Sequence, residues 1–243
     1  MAGVAVVAIG LFIVTRGPSP TPVPKADPTV ITGESPRIQG EVRQPDPAET
    51  AKHAAVDAIR SGGAAYATGD LISAQTQFEA AVIAAPDDAE ARNNLAQVLV
   101  RQGKTAQAMP HYDVAVKIAP DKWSYRFNRA RAYSQLERWA DAAVEYEVAT
   151  RLFPDDFATH YNLGLALIRL RRYSDAVGWL EKAVAAAPEE HGFLIQLGTA
   201  HIGAGQPDRA RVAFEQFLSR APNDAEAPRV KALLEALAAA PSK

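Results

Sequence analysis

The sequence predicts an all-α protein built as a solenoid of stacked helix pairs, and three observations carry that prediction. First, Pro86, Pro120, Pro154, Pro188 and Pro222 stand 34 residues apart throughout. With proline at roughly 5% of average usage, four further matches after the first have a chance probability of about 10⁻⁵. Second, other columns keep the same period. They comprise Ala74, Ala108, Ala142, Ala176 and Ala210; a bulky set of Phe78, Tyr112, Tyr146, Leu180 and Phe214; and a small set of Gly62, Ala96, Ala130, Gly164 and Gly198. Third, alanine supplies 49 of the 243 residues, and alanine is the strongest helix former and a small packing residue.

Charge and cysteine content exclude several function classes. Lys and Arg number 26 against 28 Asp and Glu, without the basic excess of a nucleic-acid binder. The chain has no cysteine, hence no disulfide framework, zinc–thiolate site or thiol nucleophile. That absence suits either redox compartment.

The elements follow in order. Residues 1–16 read MAGVAVVAIGLFIVTR, uncharged until Arg16. Fifteen residues of helix span about 22 Å, short of the roughly 30 Å hydrocarbon core. The segment reads as a single-pass membrane anchor, the alternatives being a cleaved signal segment or a buried core helix. Arg16 and Lys25 taken literally place the rest of the chain inside; a basic flank lost upstream of Met1 would void that count. An N-terminal hydrophobic segment of this kind points to export, hence a periplasmic domain, with a cytoplasmic face or secretion as alternatives. Residues 17–46 form a Pro-rich linker: eight of the 17 prolines fall within 17–50, and PSPTPVP favours an extended, polyproline-like tether.

Asp46-Pro47-Ala48-Glu49 is a helix-start signal, with a capping side chain, a proline at the first helical position and a glutamate three residues after the cap. The ordered domain is placed at 47–224. Each 34-residue unit carries two helix-period segments. Gly69, Gly103 and Gly205 mark the turn in three units, and the recurring proline ends the second helix. The small columns let backbones approach, and the bulky residue four positions after each recurring alanine fills the gap. A lone pair cannot bury such a face, so neighbours must stack. Residues 225–238 carry Val230, Leu233, Leu234 and Leu237 at helical spacing and read as a capping helix, with a tail at 239–243. Pro110 falls about one turn into its helix, where a slight kink is expected.

These columns resemble the tetratricopeptide repeat, whose 34-residue helix-turn-helix unit carries a Leu-Gly, aromatic, Ala, aromatic, Pro pattern. The resemblance covers five units: 55–88, 89–122, 123–156, 157–190 and 191–224. The fourth carries Leu163-Gly164, Leu167, Ala176, Leu180, Ala183 and Pro188; the first departs most, with Ser61 and Ala65 at large-residue positions. The resemblance implies a right-handed α-solenoid whose first helices line a concave groove that holds extended peptides or partner segments.

Within that frame Asn94, Asn128, Asn162 and Gln196 recur one residue before a packing column. A side-chain amide offers donors and an acceptor to a peptide main chain, and Asn ladders of related solenoids imply that role here. Gln97, Arg101, Arg131, Arg169 and Tyr161 join them on the groove, with Asn93, Phe127, Gln135 and Ile195 nearby. Arginine and asparagine favour an acidic or carboxylate-terminated peptide. The groove resembles the carboxylate clamps of chaperone-binding family members, though their paired Lys/Asn pattern is incomplete here. Each residue also admits a plain solvated-face reading.

Arg129 stands where Leu95, Leu163 and Leu197 stand in neighbouring units. An unpaired buried guanidinium is costly, so a structural pair with Glu145 on the partner helix is expected. The five histidines are scattered without metal-ligand spacing, and no HExxH, phosphate loop or nucleophile elbow occurs. The expectation is therefore a non-catalytic scaffold without cofactor, metal or small-molecule substrate, with a protein or peptide partner and a membrane contact through the N-terminal segment. The Ala/Arg-rich composition suggests a bacterial envelope assembly factor. The alternative is a structural subunit docked permanently through its convex face.

Overall fold

The computed structural model describes residues 46–239, and all secondary structure within them is helical. The expected anchor and nearly all of the linker lie outside the described residues. Among those described, no helix is long and apolar enough to cross a membrane.

Five antiparallel pairs follow one another: α1 (Pro47–Thr68) with α2 (Leu71–Ala84), α3 (Ala89–Arg101) with α4 (Thr105–Ile118), α5 (Trp123–Gln135) with α6 (Trp139–Leu152), α7 (Phe157–Arg169) with α8 (Tyr173–Ala186), and α9 (Gly192–Gly203) with α10 (Pro207–Arg220). A last helix, α11 (Ala227–Ala239), packs on α10.

Local chemistry sets the boundaries. Asp46 accepts a hydrogen bond from the Ala48 backbone N–H, with Pro47 at the first helical position. Asp70, Asp88 and Asp156 likewise accept from the Ser73, Ala91 and Thr159 backbones, satisfying N–H groups that have no partner inside the helix. At the turns, Gly69, Gly103 and Gly205 adopt φ of 83°, 78° and 72°. The same turn in the other two units forces Glu137 and Arg171 to φ of 57° and 58°, a conformation that costs a residue with a Cβ.

Each second helix ends two residues before its proline. The intervening residues, Ala85, Ala119, Phe153, Ala187 and Ala221, have φ between −126° and −141°. Clash with the proline ring drives them out of the helical region. Pro110 is the sixth residue of α4, beyond the tolerant first turn, and α4 runs through it. Pro110 and Ala106 are both exposed, so water can serve the Ala106 carbonyl that proline cannot reach.

The columns meet within each unit. Phe78, Leu180 and Phe214 press on Gly62, Gly164 and Gly198: a Cβ on those glycines would lie 2.8, 2.6 and 2.3 Å from the facing side chain. Tyr112 and Tyr146 are buried, as are Ala96 and Ala130 at the same register. Successive first helices approach one another closely, α1 to α3, α3 to α5, α5 to α7 and α7 to α9, whereas successive second helices do not among the described residues. The stack therefore curves toward its first helices, which line the inside. At the far end Val230 is fully buried, and Leu233, Leu234 and Leu237 cover the core around Phe214 and Phe217.

Candidate functional site

The face shared by the first helices presents two depressions. The first holds about 220 Å³ between α1, α3 and α5 and is lined by Tyr66, Gln97, Arg101, Tyr112, Asn128 and Arg131. A smaller recess beside it is lined by Gly63, Tyr66, Phe78, Asn94 and Gln97. The second holds about 370 Å³ over α7 and α9, with Trp139, Tyr161, Leu165, Ile168, Arg169 and Gln196 on its walls.

In the first, an amide network joins two units. Asn93 Nδ2 donates to Asn94 Oδ1 at 3.2 Å, Gln97 Nε2 donates to the same oxygen at 3.3 Å, and Asn128 Nδ2 donates to Asn93 Oδ1 at 3.0 Å. These contacts orient Asn94 and Asn128 and leave the Asn94 amide group and the Asn128 oxygen uncommitted. Arg101 lies over the Tyr66 ring, 4.6 Å from its centroid, and donates to the Tyr66 carbonyl at 3.3 Å. Arg131 sits 5.9 Å from the Phe127 ring centroid. In the second depression, Tyr161 stacks on Phe193 at 4.2 Å and Arg169 lies 5.4 Å over Trp139. Burial, with Glu190 nearby, raises the Tyr161 pKa, keeping its hydroxyl a neutral donor.

Arg101, Arg131 and Arg169 are exposed, and none pairs with a carboxylate among the described residues. Aromatic faces hold them in place.

Three expected groove residues depart from that placement. Asn162 Nδ2 donates to the Ala158 carbonyl of its own helix at 2.7 Å, and Asn162 lines neither depression; the amide series is broken there. Gln135 Oε1 accepts from Thr105 Oγ1 at 2.9 Å, which ties it to the start of α4. Ile195 is buried in the terminal core.

Away from this face, Arg129 reaches Glu145 with Nη2–Oε1 at 2.5 Å, and its Nη1 lies 3.0 Å from Asp113 on the preceding second helix. Arg126 approaches the same Glu145, with Nη1–Oε2 at 3.2 Å. One buried acid thus serves two guanidiniums. Arg126 belongs to a column the sequence reading missed. Arg92 and Arg126 each donate through Nε to the carbonyl of the preceding linker proline, Pro86 and Pro120, and His160 and Leu194 follow at the same spacing. The signal was a 34-residue period in a cationic residue, weakened because its fourth member is apolar.

His160 is buried against Trp179, and its Nδ1 has no partner. Burial, then Lys182, lowers its pKa. His201 is buried with Nδ1 2.8 Å from Gln206 Oε1. No three His, Cys, Asp or Glu side chains gather into a metal site among the described residues.

Two tetratricopeptide-repeat models match the sequence, one over residues 60–122 and 127–191, the other over 167–237. The chain belongs to the tetratricopeptide-repeat family. No curated protein sequence matches it significantly. Among solved TPR structures, it is similar to YrrB, a TPR protein with an unusual peptide-binding site, at 15% identity and TM-score 0.67, covering 73% of this chain and 92% of that one. A TPR protein from Parabacteroides merdae is similar at 22% identity and TM-score 0.67, with 76% and 74% covered. MamA from Desulfovibrio magneticus is similar at 17% identity and TM-score 0.64, with 74% and 98% covered. TPR repeats are in general non-catalytic scaffolds that bind protein or peptide partners.

Proposed function

We propose that this protein is a membrane-tethered TPR scaffold that holds an extended, acidic or carboxylate-terminated segment of a partner in its concave groove, in the assembly of an envelope complex. One observation carries the reading: Arg101, Arg131 and Arg169 stand exposed on the first-helix face without carboxylate partners among the described residues, beside the amides of Gln97, Asn128 and Gln196. Guanidinium forks suit carboxylates, and amides suit a peptide main chain. The peptide-binding site of YrrB supports the same use of this fold. In this reading the hydrophobic residues 1–16 anchor the chain, and the Pro-rich linker holds the solenoid off the periplasmic face of the membrane.

A convex docking surface is the competing arrangement. Ile72, Ile83, Val144 and Val212 are exposed on second helices, but they are spread over α2, α6 and α10 rather than gathered on one helix pair, and scattered apolar residues are ordinary on a surface. Affinity purification from detergent-solubilised membranes of the native host separates the two, comparing wild type with Arg101→Glu/Arg131→Glu. Both side chains are exposed, so the fold should survive, as circular dichroism would verify. Loss of the main co-purifying partner is expected; an unchanged partner set would overturn the groove reading.

A further inference from the structure

We infer that the groove is bipartite and selects a segment with an acidic cluster and an apolar or aromatic anchor about five or six residues apart. The inference rests on the reading that the first-helix face holds a peptide. The two depressions differ in chemistry. The one over α3 and α5 has two guanidiniums, Arg101 and Arg131, and two amides, Gln97 and Asn128, and no carboxylate among its lining residues. A carboxylate entering it would find fork-shaped donors already held by Tyr66 and Phe127, which reduces the ordering cost of binding. The one over α7 and α9 is walled by Trp139, Tyr161, Leu165 and Ile168, with Gln196 and Thr199 on its α9 side and its single charge, Arg169, laid over the Trp139 ring. Apolar side chains gain from burial there, and the Tyr161–Phe193 stack keeps that wall rigid.

Spacing follows from the stack. The first depression lies over α3, between α1 and α5, and the second over α7 and its border with α9, about two first-helix steps further on. Packed helices lie about 8–10 Å apart, so the centres are separated by roughly 16–20 Å. An extended chain rises about 3.3 Å per residue, which gives about five or six residues between the two anchors. The acidic end lies over the second and third units and the apolar end over the fourth and fifth.

The test is fluorescence anisotropy with the full chain in mild detergent. The probe is a fluorescein-labelled peptide carrying Glu-Glu and Leu-Phe pairs separated by about five Gly/Ser residues. Three control peptides shorten the spacer to about one residue, replace Glu-Glu by Gln-Gln, or replace Leu-Phe by Gly-Ser. Each control is expected to bind about tenfold or more weakly than the probe, and the probe's affinity should fall with added salt. Arg101→Glu/Arg131→Glu should weaken the probe similarly and restore binding to a Lys-Lys version of it, an outcome that a misfolded variant could not give. Leu165→Asn should weaken the probe while leaving the Gly-Ser control unchanged. If all four peptides bind alike, the bipartite inference is wrong and the peptide-binding reading stands. If none binds and the native partner crosslinks only to second helices, both fall.

Discussion

Arg129 occupies a leucine position, and its environment explains how the fold tolerates it. The guanidinium reaches Glu145 and Asp113, while Arg126 shares Glu145 from the same helix. The sequence suggested a simple pair, for which Arg129→Leu with an apolar residue at 145 would be mild. The shared acid changes that expectation. Glu145→Leu takes the buried carboxylate from two largely buried guanidiniums, leaving Arg129 only the exposed Asp113, and should cost about 3–5 kcal/mol. Arg129→Leu leaves Glu145 with Arg126 and should cost about 2 kcal/mol. The double variant still orphans Arg126, so only the triple change, with Arg126→Leu added, should return toward wild type. Urea midpoints for the four variants check this order; equal losses in all of them would contradict the network. His160 offers a second residue-scale prediction. Its folded pKa lies below the ordinary 6.5 because burial, then Lys182, disfavours the charged ring, despite Asp155 and Asp156 nearby. The unfolded chain therefore takes up the proton first. The contribution is fully present above about pH 6.5 and is lost as pH falls toward the folded pKa. His111, lowered by burial and then Arg92, acts in the same direction. The thermal midpoint should drop between neutral and mildly acidic pH, and His160→Leu, matching buried Leu194 in the next unit, should flatten the drop. An unchanged slope in that variant would refute the assignment.

Helix pairs owe their close approach to the small column. An alanine at Gly164 would put its Cβ 2.6 Å from Leu180 Cγ, and one at Gly198 would put it 2.3 Å from Phe214 Cε1. Each substitution should destabilise by about 1–3 kcal/mol through overpacking. Gly178, exposed within α8 with open space around it, should instead gain up to about 1 kcal/mol on becoming alanine. Chemical denaturation of these three variants measures the contrast, and destabilisation by Gly178→Ala as large as that at Gly164 would count against the packing account. The same comparison shows why some features were legible in the sequence and others were not. Pro86 and its successors, the alanine column and the register of a small residue (Gly or Ala) facing a bulky one (Phe, Tyr or Leu) repeat in every unit, so each copy reinforces the others. The turn at Glu137 and Arg171 carries no glycine, and only its backbone angle reveals that it matches Gly69. Arg126 shares a 34-residue period with Arg92, but its meeting with Glu145, and that of Arg129 with Asp113 of the preceding unit, occur at one place in the stack, where no other copy reinforces them. Asn162 and Gln135 had the right register, but their side chains bond to Ala158 and Thr105. Register fixes a helix face; it does not fix which acceptor a flexible amide meets.

Across the whole solenoid, stability and recognition share one cause. No pair buries its own faces, so each rests on its neighbours. Because first helices approach one another closely and, among the described residues, successive second helices do not, the inner face is continuous from α1 to α9. A continuous face can hold an extended chain over several units, and the exposed arginines lie on it. Site-specific photocrosslinking in the native host tests this most directly. A photoreactive residue at Asn128, on the inner face, is compared with one at exposed Val144 on α6. The account predicts a partner adduct from position 128 and none from 144; adducts from 144 alone would contradict it.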